Sequence, residues 1–157
     1  MFKKRNIFLL LFLFQLSCAY GQFIIIPGPY DTSNTVVFRF QNDSTNISSS
    51  LTKSDILVIE TLLSKSVRNY NNSHDRKRWR KPIIDLQNGK YARQLMLSLN
   101  SKGEIIVWVN CICRRQGQNS DWRKGLISAD DGGNCYFNLK INLTTKEYFD
   151  LSVNGQG

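Results

Sequence analysis

The chain has 157 residues, with 21 Lys+Arg against 12 Asp+Glu, one His, four Cys and a formal net charge of +9. That length suits a single domain able to bury an adequate core. The positive charge is modest and scattered, which argues against nucleic acid as a partner. No apolar run approaches the roughly 20 residues that a membrane-crossing helix needs, so no transmembrane span is expected.

The chain opens on Met1-Phe2-Lys3-Lys4-Arg5, a compact positive start, followed by eight apolar residues at 7–14 before Gln15. Ala19-Tyr20-Gly21 then supplies the small residues that signal peptidase favours. Residues 1–21 therefore read as a signal peptide cut after Gly21, leaving Gln22 as the new terminus of a periplasmic or secreted protein. A competing reading takes Leu16-Ser17-Cys18 as a lipobox that would anchor the protein by lipid at Cys18. Against it, Gln15 stands where such motifs prefer an aliphatic residue. Cleavage removes three basic residues and leaves 18 Lys+Arg against 12 Asp+Glu, a net of +6.

Residues 22–34 read as an extended N-terminal segment, apolar at Phe23-Ile24-Ile25-Ile26 and broken by Pro27-Gly28-Pro29. A single α+β domain is expected over 35–157. Its first strand is Thr35-Val36-Val37-Phe38-Arg39-Phe40, with Val36, Phe38 and Phe40 on one face. Residues 41–50 are a polar loop. Thr52 or Ser54 can cap a helix with Asp55 in its first turn. Ile56, Ile59, Leu63, Val67 and Tyr70 form its apolar stripe, and Lys65 and Arg68 near its end suit the negative pole of the helix dipole. Asn69-Tyr70-Asn71-Asn72-Ser73 ends it, and 74–81 reads as a polar basic loop. Pro82 and the Asn88-Gly89 turn precede a strand from Tyr91 that puts Leu95, Leu97 and Leu99 on one face. Asn100-Ser101-Lys102-Gly103 marks a hairpin. The next strand puts Val107, Val109, Cys111 and Cys113 on one face. A loop at 114–124 and a turn at Asp130-Asp131-Gly132-Gly133-Asn134 lead to an alternating strand, Cys135 to Leu143. The last strand, Tyr148 to Val153, turns Phe149, Leu151 and Val153 inward. The expected fold is one helix packed on a four- to five-stranded antiparallel sheet, in the order β-α-β-β-β-β.

Three cysteines remain after cleavage, all inward by alternation. Cys135 can bond to Cys113 or Cys111 across neighbouring strands, leaving one thiol over. A closed zinc site needs four ligands, and the lone His74 falls in the loop after the helix, so no metal or other cofactor is expected. The same separation argues against a Cys–His catalytic pair. Asp130-Asp131 offers too few oxygens for calcium and reads as a turn. Arg76, Lys77, Arg78, Trp79, Arg80 and Lys81 form a candidate anion patch for a phosphate, an anionic glycan or a lipid headgroup. The outward face of the middle strands is a candidate binding face: Trp108, Asn110, Tyr136, Asn138 and Lys140, an aromatic and amide surface suited to a protein or glycan partner. The alternatives are that the loop at 114–124 folds its Trp122 over Trp108, or that the face forms a homodimer rather than serving a monomer. Asn-x-Ser/Thr sites stand at Asn42, Asn46, Asn71 and Asn142, and matter only in a eukaryotic secretory pathway.

The element order resembles the cystatin-like fold over about 35–155, although the Gln-x-Val-x-Gly inhibitory hairpin is replaced by Asn100-Ser101-Lys102-Gly103. The segments Val107-Trp108-Val109-Asn110-Cys111-Ile112-Cys113, Asp130-Asp131-Gly132-Gly133-Asn134-Cys135-Tyr136-Phe137-Asn138-Leu139-Lys140-Ile141-Asn142-Leu143 and Val153-Asn154-Gly155 resemble small uncharacterised exported proteins of Bacteroidota-type bacteria. That resemblance implies an envelope setting and carries no catalytic residues across. The expected role is a non-enzymatic binding or accessory module. The alternatives are a small secreted hydrolase or thiol enzyme using Cys113 or Cys111, and a binder of anionic glycan or lipid through residues 76–81.

Overall fold

The computed structural model describes residues 23–40, 51–88, 91–114 and 121–155. The expected leader with its Cys18 alternative, the cut at Gly21, the loop at 41–50 with Asn42 and Asn46, Gly89 and residues 115–120 lie outside the described residues.

The chain runs β1 (Phe23–Ile25), β2 (Thr35–Phe40), α1 (Lys53–Asn72), α2 (His74–Arg78), β3 (Tyr91–Leu99), β4 (Ile105–Cys113), a single 3-10 turn (Gly133–Cys135), β5 (Tyr136–Asn142) and β6 (Glu147–Val153). All six strands join one sheet in sequence order. The class is α+β with one main helix, but the sheet departs from expectation in two ways.

It has six strands rather than four or five. Phe23–Ile25, expected to lie outside the domain, pairs antiparallel with the end of β2, Phe23 opposite Phe40 and Ile25 opposite Phe38. The Phe23 ring lies 5.8 Å from that of Phe38 and 5.0 Å from that of Phe40. Aromatic contact of this kind makes a strand of a run too short to be read as one. The sheet is also not wholly antiparallel, because β2 and β3 are parallel, from Thr35 opposite Arg93 to Phe38 opposite Met96. The helix between them supplies the long crossover that a parallel pair needs.

Thr52, not Ser54, caps α1 through a capping box: the Asp55 N–H donates to Thr52 Oγ1 at 3.1 Å and the Thr52 N–H to Asp55 Oδ2 at 2.8 Å. Ile59, Leu62, Leu63, Ser66 and Val67 face the sheet. The helix runs past the Asn-rich stop expected at Asn69, so Lys65 and Arg68 do not occupy its last turn. Asn71 holds the extra turn in place: it donates to the Ile84 carbonyl at 2.8 Å and accepts from the Ile84 N–H at 3.0 Å. Ser73 then caps α2 by accepting from the Arg76 N–H, so 74–78 is helical where a loop was expected.

The main core lies between α1 and the inner sheet face, where Ile59, Leu63 and Val67 meet Leu95, Leu97, Val107, Val109, Cys111, Phe137, Leu139 and Ile141. β6 corrects one more expectation. Pairing passes from Asn138–Ser152 to Lys140–Phe149, which sets one extra residue on β6, and Asp150 takes φ 55°. Such a bulge exchanges the two faces beyond it. Tyr148 therefore packs inward with Leu151 and Val153, and Phe149 turns out, 39% exposed. Among the described residues no helix is long and apolar enough to cross a membrane.

Candidate binding face

The face of the sheet away from α1 is ordered as rows across the strands. One runs Ala92, Ile112, Tyr136. The next runs Val36, Gln94, Asn110, Asn138, Ser152, and the third Phe38, Met96, Trp108, Lys140, Phe149. The fourth runs Ser98, Ile106, Asn142, Glu147.

The segment at 121–129 folds over the first two of these rows and meets Phe38 at the β2 end of the third. Trp122 is buried against Val36, Phe38, Ala92 and Ile112, with Leu126, Ile127 and Tyr136 around it. A buried polar pair holds it there. Gln94 Nε2 donates to the carbonyls of Trp122 at 2.6 Å and Gly125 at 2.7 Å. Gln94 Oε1 accepts from Asn110 Nδ2 at 3.0 Å and the Ile127 N–H at 2.9 Å, and Asn110 donates again to the Ile127 carbonyl at 2.9 Å. All four hydrogen-bonding positions of the Gln94 amide are used, which lets a polar side chain sit in a core without a desolvation penalty. Trp122 thus covers Val36, Phe38, Ala92 and Ile112 rather than Trp108.

The expected face is divided as a result. Asn110 is buried under the segment, and Tyr136 is half-buried at its margin. Trp108, Asn138 and Lys140 remain together beyond it, and Phe149 joins them through the β6 bulge. The half-buried Trp108 donates its indole N–H to Asn138 Oδ1 at 3.2 Å, which fixes the ring's orientation. Lys140 Nζ reaches Asp150 Oδ2 at 2.9 Å and stands 5.9 Å from the Phe149 ring centre. The far margin is set by Glu104, which accepts from Asn100 Nδ2 at 2.7 Å and Asn142 Nδ2 at 2.9 Å. Those two amides hold its carboxyl below the usual range. Phe149 was not legible as a site residue, since strict alternation points it into the core.

The cysteine alternatives resolve through register. Cys111 lies opposite Phe137 and Ile112 opposite Tyr136, which carries Cys113 to Cys135. These two form the disulfide, with Cα atoms 4.7 Å apart. Cys111 is free and buried, and burial pushes its thiol up to about 12. A thiol so protonated is a poor nucleophile at neutral pH.

The other sequence candidates fall outside the face. His74 opens α2 on the surface, its Nδ1 4.0 Å from Asp75 Oδ1. Asp130-Asp131 leads into a turn closed by Gly132 at φ 93°, where a Cβ would meet the Tyr136 ring at 2.6 Å. The Gly133 N–H donates to the Gly155 carbonyl at 2.8 Å, and Asn154 donates to the Ala129 carbonyl. The Asp-Asp-Gly-Gly and Val-Asn-Gly segments therefore meet to close the sheet end. Asn71 and Asn142 use their amides in internal bonds. Among the described residues no three His, Cys, Asp or Glu cluster as metal ligands do.

In the basic run, Arg76 folds back to donate to the carbonyls of Asn71 at 2.6 Å and Lys81 at 3.1 Å. Arg78 lies 5.1 Å over the Trp79 ring. Comparison with protein-family models, curated proteins and solved structures gives no match for the chain.

Proposed function

We propose that this chain is an exported, non-enzymatic binding module of the bacterial envelope that takes an extended glycan on the open half of its outer sheet face. The observation that carries the reading is the row Trp108–Lys140–Phe149. Two rings, the half-buried Trp108 and the exposed Phe149, stand two strands apart, roughly 10 Å by inter-strand spacing, with a cation between them and the Asn138 amide beside them. Aromatic rings cover the apolar faces of sugars, and amide and ammonium groups meet their hydroxyl or carboxylate edges. Two separated platforms suit a chain of sugars better than a single one. Internal bonds already fix Trp108 and Lys140, so little side-chain freedom is lost on binding.

Export is supported by the leader pattern at 1–21 and by the Cys113–Cys135 bond, since disulfides persist in oxidising compartments. The sequence resemblance to envelope proteins of Bacteroidota-type bacteria supports the same setting. A thiol-based enzyme draws no support, because Cys113 is bonded and Cys111 is buried and protonated.

The test is affinity electrophoresis of the mature protein against soluble polysaccharides: neutral, N-acetylated and uronic-acid-containing. Retardation by at least one, lost in both Trp108→Ala and Phe149→Ala with unchanged circular dichroism, is the expected result. Retardation that survives both substitutions, or none with any polymer, overturns the reading.

A further inference from the structure

We propose that residues 77–83 dock the protein onto an anionic phospholipid bilayer. This rests on none of the residues of the glycan face, and its failure would leave that reading untouched.

The loop combines two features that rarely share one solvent-facing segment. Lys77, Arg78, Arg80 and Lys81 are all exposed, and among the described residues none of them is paired with a carboxylate. Between and beside them stand Trp79 and Ile83, 64% and 56% exposed. The loop is also built rather than loose. Arg76 staples its base to the carbonyls of Asn71 and Lys81, the Lys81 N–H donates to the Arg76 carbonyl at 3.0 Å, and Arg80 turns the chain at φ 49°. Its far end is held where Asn134 donates to the Ile83 carbonyl at 2.6 Å and Asn71 brackets Ile84. The fold thus presents a Trp, an Ile and four cations that have no carboxylate partner among the described residues, on a fixed support.

Cations alone would suit any polyanion. The exposed Ile83 separates the candidates, because the flat apolar face of a sugar is met by an aromatic ring rather than by a branched alkyl chain, whereas the acyl boundary of a bilayer accepts both. Trp settles at the headgroup level of membranes, and Lys and Arg beside it are drawn to anionic lipid. Each cation near such a surface contributes about fivefold in affinity, and the attraction is screened by salt.

Flotation with vesicles rich in phosphatidylglycerol, against vesicles of phosphatidylcholine alone, tests this. The mature protein is expected to float with the first and not the second, and to be released by high salt. Lys77→Gln with Arg78→Gln should weaken binding about 25-fold, since two charges are removed. Trp79→Ala with Ile83→Ser should abolish it, and Trp108→Ala should leave it unchanged. Lys77, Arg78, Trp79 and Ile83 are exposed and Trp108 is half-buried, so circular dichroism should confirm that each variant folds. Equal binding to both vesicle types overturns the proposal. So does binding that survives Trp79→Ala with Ile83→Ser, or retention on heparin by a protein that floats with neither vesicle.

Discussion

Amide side chains hold much of this molecule's irregular backbone. Asn71 brackets Ile84, Asn134 reaches Ile83, Asn154 reaches Ala129, and Gln94 with Asn110 fixes the segment that carries Trp122. Asn71, Gln94 and Asn110 tie such stretches to a helix or strand, while Asn134 ties Ile83 to the 3-10 turn and Asn154 ties Ala129 to the end of β6. Gln94 has the most to lose, since it is fully buried and all its positions are engaged. Gln94→Leu keeps the volume but orphans the carbonyls of Trp122 and Gly125 and the Ile127 N–H. At about 1–3 kcal/mol for each buried group left unpaired, less what water recovers, the loss should be about 3 kcal/mol by urea denaturation. Trp122 should become open to acrylamide quenching in the same variant. Gly132 is a second test at this scale. Gly132→Ala meets both a positive φ and the Tyr136 ring, and should cost about 2 kcal/mol. A thermal midpoint unchanged by that substitution would mean the turn can be re-formed without αL backbone. The resemblance segments Asp130-Asp131-Gly132-Gly133-Asn134 and Val153-Asn154-Gly155 gain a physical meaning here, since their bonds close the sheet end.

Between strands, the Cys113–Cys135 bond joins β4 to the 3-10 turn that opens β5 and spans 22 residues that include the Trp122 segment. Closing a loop of that length in the unfolded chain is worth about 3 kcal/mol. Cys113→Ser with Cys135→Ser should lower stability by that amount and leave Cys111 as the sole thiol of the described residues. Because burial holds that thiol protonated to about pH 12, iodoacetamide at pH 8 should label it only after denaturant is added. Fast labelling of the native protein would contradict its burial. Elements of this kind were largely legible in the sequence. The helix stripe, the Asn100–Gly103 hairpin and the alternation of β3, β4 and β5 all follow from periodicity, and so does the inward direction of the three cysteines. What was not legible depends on contacts distant in sequence. β1 exists through two phenylalanines on another strand, the last turn of α1 through Ile84, and the parallel β2–β3 pair through the path of the helix. The outward turn of Phe149 depends on a bulge at an Asp, which tolerates αL better than most residues but announces nothing by spacing. The candidate face was legible to the same degree: Trp108, Asn138 and Lys140 by alternation and a cover carrying Trp122 as one alternative, but neither the part of the face which that cover takes nor the second ring.

For the whole molecule, the acid side of the stability curve follows from where its carboxylates sit. Asp31, Asp85, Glu104 and Asp121 each lie in a turn that joins or covers the sheet, and each is held below its ordinary range by turn hydrogen bonds. Asp31 is lowered chiefly by Ser33, Asp85 by Asn88, Glu104 by the Asn100 and Asn142 amides, and Asp121 by the Arg123 N–H. A carboxyl whose folded pKa lies below its unfolded one stabilises the fold at every pH above the unfolded value. That contribution disappears as pH falls through the folded value, because the unfolded chain takes up protons first. The thermal midpoint should therefore be flat from pH 7 to about 5 and fall steadily below about pH 4, where unfolded Asp and Glu titrate. The excess of Lys and Arg adds self-repulsion over the same interval, so the curve of the natural protein alone does not isolate the turns. Glu104→Gln does. It preserves an amide oxygen for Asn100 and Asn142 while removing one titrating group, at the margin of the proposed glycan face. Its midpoint should lie below the natural protein's at pH 7, where the charge-assisted bonds are lost, and converge on it toward pH 2.5. Parallel curves, with a constant offset from pH 7 to pH 2.5, would show that the Glu104 bonds are insensitive to its charge and that acid acts on the fold through other groups.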